Sequence, residues 1–552
     1  MGHTTANEMA PNEQQTTGSE ARPTAVAPAS GDKREGGEAL ESSMAPTRGE
    51  ALAEEGREPP MDSEGSGVNE RVEKMSRLRA EGREPYPHAR VPDRARIAAV
   101  LQAHPASTLG HGEHPALRYT LAGRLTSRRV HGRRAFLDLR DNTGEIQLYA
   151  QSDVLGPECY EQLLRLDIGD IISANGCLYL TQRGEVVLNV HGFELLTKAL
   201  RPPPSRFHGV EDAGTRHRYR ELDLMANEET RQLFSTRAKT VEALRSFLAL
   251  EGFTEVETPV LQSLAGGASA RPFTTHHNAL DADLSLRISV ELYLNRCLIG
   301  GLENVYDLGK CFRNEGISYR HSPEFTMLEW LQSYADHTDV AELTEAMIAS
   351  VATEVLGTTE VERSGETIDL SRWKRTTMRE VIASRLSIDI LESDASELLA
   401  LLADHGEPID RRSSWAQAVH TIYTKLIEHT IIAPTLVFDF PVEMFPITKR
   451  HSEDPRLAEH FDAVVAGIEL VSGDSELTDP IEQRRRFLEQ RERRGEQATE
   501  AHPHDEEYVR ALEYGLPPSA SGGMGVDRLL MILTGRAHLR EVLPFPTLRE
   551  RQ

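Results

Sequence analysis

FRNEGISYRHSPEF, Phe312 to Phe325, carries Arg313, Glu315, Arg320, His321 and Phe325 within fourteen residues. A phenylalanine ring and a guanidinium can hold a purine between them, while further cations clamp a polyphosphate. A second stretch, GGMGVDRLLMILTG from Gly522 to Gly535, sets glycines against a strand-to-helix junction and puts Arg528 beside them. Gly523 and Gly525 carry no side chain that would keep a ligand away from the backbone. The two stretches together describe a site for a nucleotide polyphosphate.

At 552 residues the chain has room for two or three domains with large cores. No apolar run approaches the roughly 18 residues that a bilayer span requires. The N-terminus lacks a basic-then-apolar leader pattern. Cys159, Cys177, Cys297 and Cys311 are scattered, with no CxxC pair. That argues against a disulfide framework and a structural zinc, and suits a reducing cytoplasm. The formal net charge is −25, so an RNA partner would need a local basic patch.

Residues 1–70 are rich in Gly, Pro, Ala, Ser and Glu, with 14 acids against 5 bases. This predicts a disordered acidic tail. Residues 71–115 read as a helical extension that opens on VEKMSRLRAEG, with Gly82 as its stop. Residues 116–200 alternate apolar and polar positions in five short runs: YTLAGRL, AFLDLRD, IQLYAQ, DIISANGCLYL and EVVLNVHGFELL. Five such strands fit a small Greek-key barrel of the oligonucleotide-binding (OB) type. Its first hairpin, RLTSRRVHGRRAF, interleaves five arginines with a histidine and a phenylalanine. Rings stack bases while arginines hold phosphates, so Arg128, Arg129, Arg133 and Phe136 are candidate RNA-binding residues. Glu185, which opens the fifth run, completes that set. A solvated hairpin on an ordinary barrel is the plainer alternative.

Residues 201–225 read as a proline-stiffened linker. Residues 226–552 read as a larger, strand-rich antiparallel domain. It has helical periodicity at Thr230–Leu250 and Val340–Val355 and a helical insertion at about 385–432. The fold class expected is therefore α+β: an N-terminal OB barrel followed by an antiparallel-sheet domain with helices. FDAVVAGIELV, Phe461 to Val471, reads as a hairpin turning at Ala466-Gly467. With a two-residue turn, Val464 faces Glu469, and Asp462 and Glu469 lie diagonally on one face. Two carboxylates so placed can hold Mg²⁺ against phosphates.

Three segments resemble the motifs of class II aminoacyl-tRNA synthetases. They are GFTEVETPVL (Gly252 to Leu261), the hairpin YDLGKCFRNEG…SPEFTMLEW, and the GGMGVDR stretch. The first resembles a motif that usually forms a dimer interface, so the resemblance implies a homodimer. It also implies that Arg313 bridges the ATP α-phosphate and an amino-acid carboxylate, a task suited to bidentate arginine. Glu315 would read the adenine amino group and His321 would sit near the γ-phosphate. Phe325 would stack on adenine, with Arg528 on its other face. ATP would be the substrate, with Mg²⁺ on Asp462 and Glu469, where the family typically has two glutamates.

From Val72 to Phe545 the wording is similar to the lysine–tRNA ligase family within that class: AGGASARPF, ELYLNR, EYGLPP and EVLPFP all match it. The resemblance implies a barrel that grips the tRNA anticodon. It also implies an amino-acid pocket in which Gly267 and Glu291 bind the α-amino group and Glu329 helps. Glu476 would pair with the ε-ammonium. A buried ammonium requires such carboxylates to keep its charge. Several neighbours depart from the family. Leu331 stands where a tyrosine is usual, Ser472-Gly473-Asp474 replaces Asn-Gly-Phe, and Ser521 replaces a glycine. Besides a lysine ligase, two readings stay open: a paralogue for a modified lysine or another basic amino acid (or an inhibitor-tolerant duplicate), and a non-catalytic nucleotide- or RNA-binding paralogue.

Overall fold

The computed structural model describes residues 65–204, 210–363, 365–494 and 505–549. The expected acidic tail lies outside them up to residue 64, as do residues 205–209 of the expected linker. The first described helix, α1 (Gly65–Ala80), starts before the VEKMSRLRAEG run. It docks through Lys74, 2.8 Å from Asp167, and through Arg71, which donates to the Ile168 carbonyl at 3.0 Å.

The alternating segment forms β1 (Gly112–His131), β2 (Arg134–Arg140), β3 (Glu145–Gln151), β4 (Ile171–Leu180) and β5 (Val186–Thr197). They close into a barrel in the order β1-β2-β3-β5-β4. One long strand, β1, pairs with β4 up to Arg124 and with β2 from Arg124 on, and a bulge between Leu125 and Ser127 lies at the changeover. Leu121, Leu137, Leu139, Leu148 and Leu188 fill the interior and are fully buried. Helix α2 (Pro157–Leu164) plugs the barrel between β3 and β4 with Leu163. Toward the next domain, Arg140 donates to the carbonyl of Met225 at 3.2 Å.

The expected helices are α3 (Glu228–Leu250) and α5 (His337–Leu356), with a shorter α4 (Glu291–Ile299) between them. Helix α5 starts at a capping box of Asp336 and Asp339. It stops at Gly357, whose positive φ few other residues tolerate. The sheet comprises β6 (Thr254–Glu255), β7 (Asn304–Phe312), β8 (Glu324–Ser333), β9 (Lys374–Thr377), β10 (Thr435–Pro441), β11 (Leu457–Val465), β12 (Ile468–Ser475) and β13 (Ser519–Gly525). Its order is β9-β10-β11-β12-β13-β8-β7-β6, antiparallel except for the edge pairs β6–β7 and β9–β10.

One face of this sheet packs on α3, α5 and the helix after β13, burying Leu244, Val340, Ile348, Trp330 and Phe461. Gly522 owes its identity to that packing, because a Cβ there would lie 2.2 Å from the Trp330 indole. The other face is the floor of a cavity. The helices Met378–Leu386 (α6), Ala395–Asp404 (α7) and Trp415–Ile422 (α8) form a separate core around Ile382, Leu398 and Val419. This core ends in a 3-10 turn, Glu428–Thr430.

Two small sheets were not expected from the sequence. One pairs Leu261–Gln262, Ala282–Leu286 and Thr274–His277; the other is the hairpin of Glu360–Arg363 and Glu366–Asp369. Strands of two to five residues are too short to display alternation. Among the described residues, no helix is long and apolar enough to cross a membrane.

Candidate active site

A cavity of about 500 Å³ lies on the open face of the sheet. Gly267, Glu291, Arg313, Glu315, His321, Phe325, Glu329, Leu331, Glu469, Ser472, Asp474 and Arg528 all line it. Asp462 and Glu476 are buried beside the lining. Strands far apart in sequence therefore bring the candidate residues to one place.

The hairpin β7–β8 supplies the nucleotide end. Its neck is closed by the Arg313 amide donating to Pro323 O at 2.9 Å. The Arg313 guanidinium lies 5.2 Å from the Phe325 ring centre and donates to the Ile288 carbonyl at 3.3 Å. Glu315 and His321 are exposed at the loop. Desolvation and the charges of Arg528 and Arg320 push the His321 imidazole down to about 4, so it stays neutral, and Nδ1 sits 2.8 Å from Ser318 Oγ. Arg528, on α9 (Val526–Leu533), donates to the Glu469 carbonyl at 2.8 Å and lies 3.3 Å from Glu469 Oε1. Gly523 faces the cavity, and a Cβ there would make only ordinary contacts, the nearest with Glu329 Cγ at 3.6 Å.

The β11–β12 hairpin turns where expected. Ala466 and Gly467 both have positive φ, and Val464 pairs with Glu469. A bulge then inserts Leu470, so the partner of Asp462 is Ser472. The bulge keeps Glu469 and Ser472 on the cavity side. The turn is seated on the insertion: Ala466 N donates to Ile432 O at 2.9 Å and Gly467 N to Ile431 O at 2.8 Å. A Cβ on Gly467 would come within 2.9 Å of the His429 carbonyl oxygen. Burial raises Asp462 above the ordinary carboxylate range. Glu469 is held below it, because Arg528 and Arg313 outweigh its desolvation. An all-carboxylate pair of this kind, close to the arginines that would meet phosphates, fits Mg²⁺.

The floor is ordered in rungs. Asp462, Ser472, Gly523 and Glu329 are successive cross-strand partners on β11, β12, β13 and β8. The next rung is His460, Asp474, Ser521 and Leu331. Beyond it lies Glu476, whose Oε2 accepts from Asn295 Nδ2 at 3.0 Å. Glu329 accepts from Ser289 Oγ at 3.0 Å and from the Val290 amide at 3.1 Å. The carboxyls of Glu291 and Glu476 are buried against each other and share a hydrogen bond, Ser521 bonds Glu476, and among the described residues no cationic side chain pairs with either. Desolvation and mutual repulsion raise Glu291 well above its usual range, and burial pushes Glu476 up to about 7. Gly267, at φ +85°, sits against Ser289, where a Cβ would come within 2.8 Å of Oγ.

Several contributors were not singled out from the sequence. Arg320 pairs with the buried Glu428 at 2.7 Å. Asp527 accepts from Arg237 at 2.6 Å and from the Thr326 amide at 2.7 Å, tying α3, β8 and α9 together. His460 is fully buried and bridges Asp474 (Nδ1, 2.7 Å) and Asp462 (Nε2, 3.2 Å). Burial opposes its charge, but the two carboxylates outweigh it and raise it to about 10. Arg320 lies inside the opening motif; His460 has no local signal, since its partner is fourteen residues away.

On the barrel, Phe136 is half-buried and stacks on Tyr149, 5.2 Å between ring centres. Tyr149 meets Tyr179 at 5.6 Å, and His131 flanks Phe136 at 6.4 Å. An aromatic row across the barrel thus extends the single ring read from sequence. Arg129 is exposed, while Arg133 pairs with Asp153. Arg128 is exposed too, and one nitrogen of its guanidinium donates to the carbonyls of Leu164 and Leu166, tying β1 to the end of α2. Glu185 sits in the β4–β5 turn, where its amide donates to Thr181 Oγ1 at 3.0 Å.

Comparison with known proteins agrees with this geometry. Residues 212–549 match the family of class II tRNA synthetases (D, K and N), and residues 119–196 match the OB-fold nucleic acid binding domain. The chain belongs to the class II tRNA synthetases, and is an enzyme of that class. It is 44% identical to the lysine–tRNA ligase of Pelotomaculum thermopropionicum over 87% of this chain and 94% of the relative. It is 42% identical to that of Bacillus subtilis over 87% of this chain and 97% of the relative. Within the class, its family is that of the lysine–tRNA ligases.

Proposed function

We propose that this chain activates lysine with ATP and transfers it to the 3′ end of tRNA, working as a homodimer in the cytoplasm. The single observation that carries the lysine reading is the pair of buried carboxyls, Glu291 and Glu476, which lie against each other with no cationic side chain among the described residues between them. Buried carboxylates without a cation are costly, and an ammonium satisfies both charge and hydrogen bonding.

In the first step a lysine carboxylate oxygen attacks the α-phosphorus in line. The bond from that phosphorus to the bridging oxygen of the β-phosphate breaks, and pyrophosphate leaves with the electron pair. Arg313 meets charge on both the carboxylate and the α-phosphate, and Arg528 and Arg320 meet the outer phosphates. No protein nucleophile is required; these groups position and neutralise. His321 would offer a further hydrogen bond to the outer phosphates. Asp462 and Glu469 would hold Mg²⁺, which supplies further charge neutralisation on the phosphates when bound. In the second step a hydroxyl of the terminal adenosine attacks the lysyl carbonyl and AMP leaves. The barrel, with Phe136, Tyr149 and Tyr179, would stack bases of the tRNA anticodon.

ATP–pyrophosphate exchange with lysine, followed by charging of tRNA(Lys), tests this. Exchange that depends on lysine and is lost in Arg313→Ala is the expected result. Undiminished exchange in Arg313→Ala, or no exchange with lysine, would overturn the assignment.

A further inference from the structure

Strand β12 runs along the cavity like a ruler. Glu469 sits beside Arg528 at the nucleotide end, and Glu476 lies at the buried end next to Asn295. Ser472 and Asp474 fall between them and both line the cavity. Residues two apart on a strand are separated by about 6.6 Å on one face. An extended amino acid with its carboxylate near Arg313 and its ammonium near Glu476 therefore passes the rung of Asp474, Ser521 and Leu331.

That rung is polar where an alkyl chain would lie. Asp474 and Ser521 are direct cross-strand partners, and such pairs hold their Cβ atoms about 5 Å apart. Both line the cavity. Asp474 is braced from behind: Thr448 Oγ1 and His460 Nδ1 donate to the same oxygen, Oδ1. Phe445 and Phe440 hold the His460 ring, with centres at 3.8 and 4.6 Å. The second oxygen, Oδ2, receives neither bond. What the rung offers a substrate is a fixed acceptor beside a hydroxyl.

Resting on the lysine-ligase reading, we propose that Asp474 and Ser521 are specificity-determining residues. They make the site activate diamino acids carrying a hydroxyl partway along the side chain, the hydroxylysine class, at least as well as lysine. A substrate hydroxyl donates to Asp474 and exchanges a hydrogen bond with Ser521. Ser521 already bonds Glu476, so a plain methylene at that place leaves Asp474 Oδ2 as the group without a partner. Sites that hydrogen-bond a substrate hydroxyl discriminate far more strongly than apolar pockets do. The activation step is unchanged: the carboxylate oxygen bonds to the α-phosphorus and pyrophosphate departs.

The test is ATP–pyrophosphate exchange by the full chain with lysine, δ-hydroxylysine and thialysine, the last having the same length but no donor. The expected kcat/KM for hydroxylysine equals or exceeds that for lysine and exceeds that for thialysine at least tenfold. Ser521→Ala, a small change on the floor, and Asp474→Leu should each lower the hydroxylysine-to-lysine ratio by tenfold or more. A wild-type ratio below about one third, or a ratio that Ser521→Ala does not move, overturns the inference. Exchange with lysine but poor use of hydroxylysine sinks this inference alone. Exchange with hydroxylysine and none with lysine supports it while overturning the lysine reading, and exchange with neither defeats both.

Discussion

Arg320 Nη1 lies 2.7 Å from Oε1 of Glu428, joining the loop of the nucleotide hairpin to the 3-10 turn that ends the helical insertion. Glu428 is buried, and desolvation together with the charge of Glu469 drives it up to about 7 although Arg320 opposes the rise. A buried partner of this kind fixes an arginine before its ligand arrives. Glu428→Gln is therefore expected to raise KM for ATP about tenfold, because the Arg320 loop loses its preorganisation. KM for lysine should stay put. Pyrophosphate exchange at varied ATP measures both; a lower KM for ATP would mean that Glu428 competes with phosphate instead of placing its partner.

Lysine binding is expected to be coupled to proton release. Glu476, at about 7, holds a proton below neutrality, whereas an ammonium favours its ionised form. Below pH 7, kcat/KM for lysine should rise close to tenfold per pH unit, then level off above it. Glu476→Gln should flatten the rise as well as weaken binding. Calorimetry in buffers of different ionisation enthalpy would read the proton directly. A wild-type profile flat from pH 6 to 8 would contradict the assignment.

RNA use and amino-acid activation should separate by domain. Phe136→Ala breaks the 5.2 Å stack on Tyr149 and removes a platform for a base. About 1–3 kcal/mol of stacking per base predicts a rise in KM for tRNA of about 5- to 150-fold, with lysine-dependent exchange unchanged. Tyr179→Ala should act in the same direction. Equal losses in both assays would count against the barrel as an RNA surface.

The sheet edge at β6 carries the dimer prediction. Only two residues long, it is flanked in sequence by exposed Leu250, Val260, Leu261 and Leu264. Apolar side chains grouped near an open strand edge suit a protein interface. Light scattering should give twice the 61.5 kDa chain mass for the wild type and a single chain for Leu261→Asp. A wild-type monomer, or a dimer untouched by this change, would move the interface elsewhere.

What was readable in the sequence was local. Arg313, Glu315, His321 and Phe325 fall inside one hairpin, so their convergence follows from strand pairing alone. The barrel declared itself by alternation, and the turn at Ala466-Gly467 by its residues. What escaped depended on strands distant in sequence. Leu331, Asp474 and Ser521 stood out singly as odd residues, yet only the order β12-β13-β8 makes them one rung. Likewise, His460 looks like any strand histidine until Asp474 is placed opposite it. The bulge at Leu470 left no mark in composition, nor did the bonds of Arg128, whose carbonyl acceptors lie 36 and 38 residues away.

The contact of Gly467 with the His429 backbone reaches beyond packing. Two amide hydrogen bonds and a gap too narrow for a methyl group weld the hairpin tip to residues 429–432. Asp462 and Glu469 therefore travel with the end of the insertion as one solid piece. Both carboxylates sit on interior strands of the sheet, so the weld fixes the end of the insertion to the frame that holds them. The end of the insertion and the carboxylates proposed to hold Mg²⁺ are thus parts of one frame, so a lesion in the insertion should register as a change in cation demand.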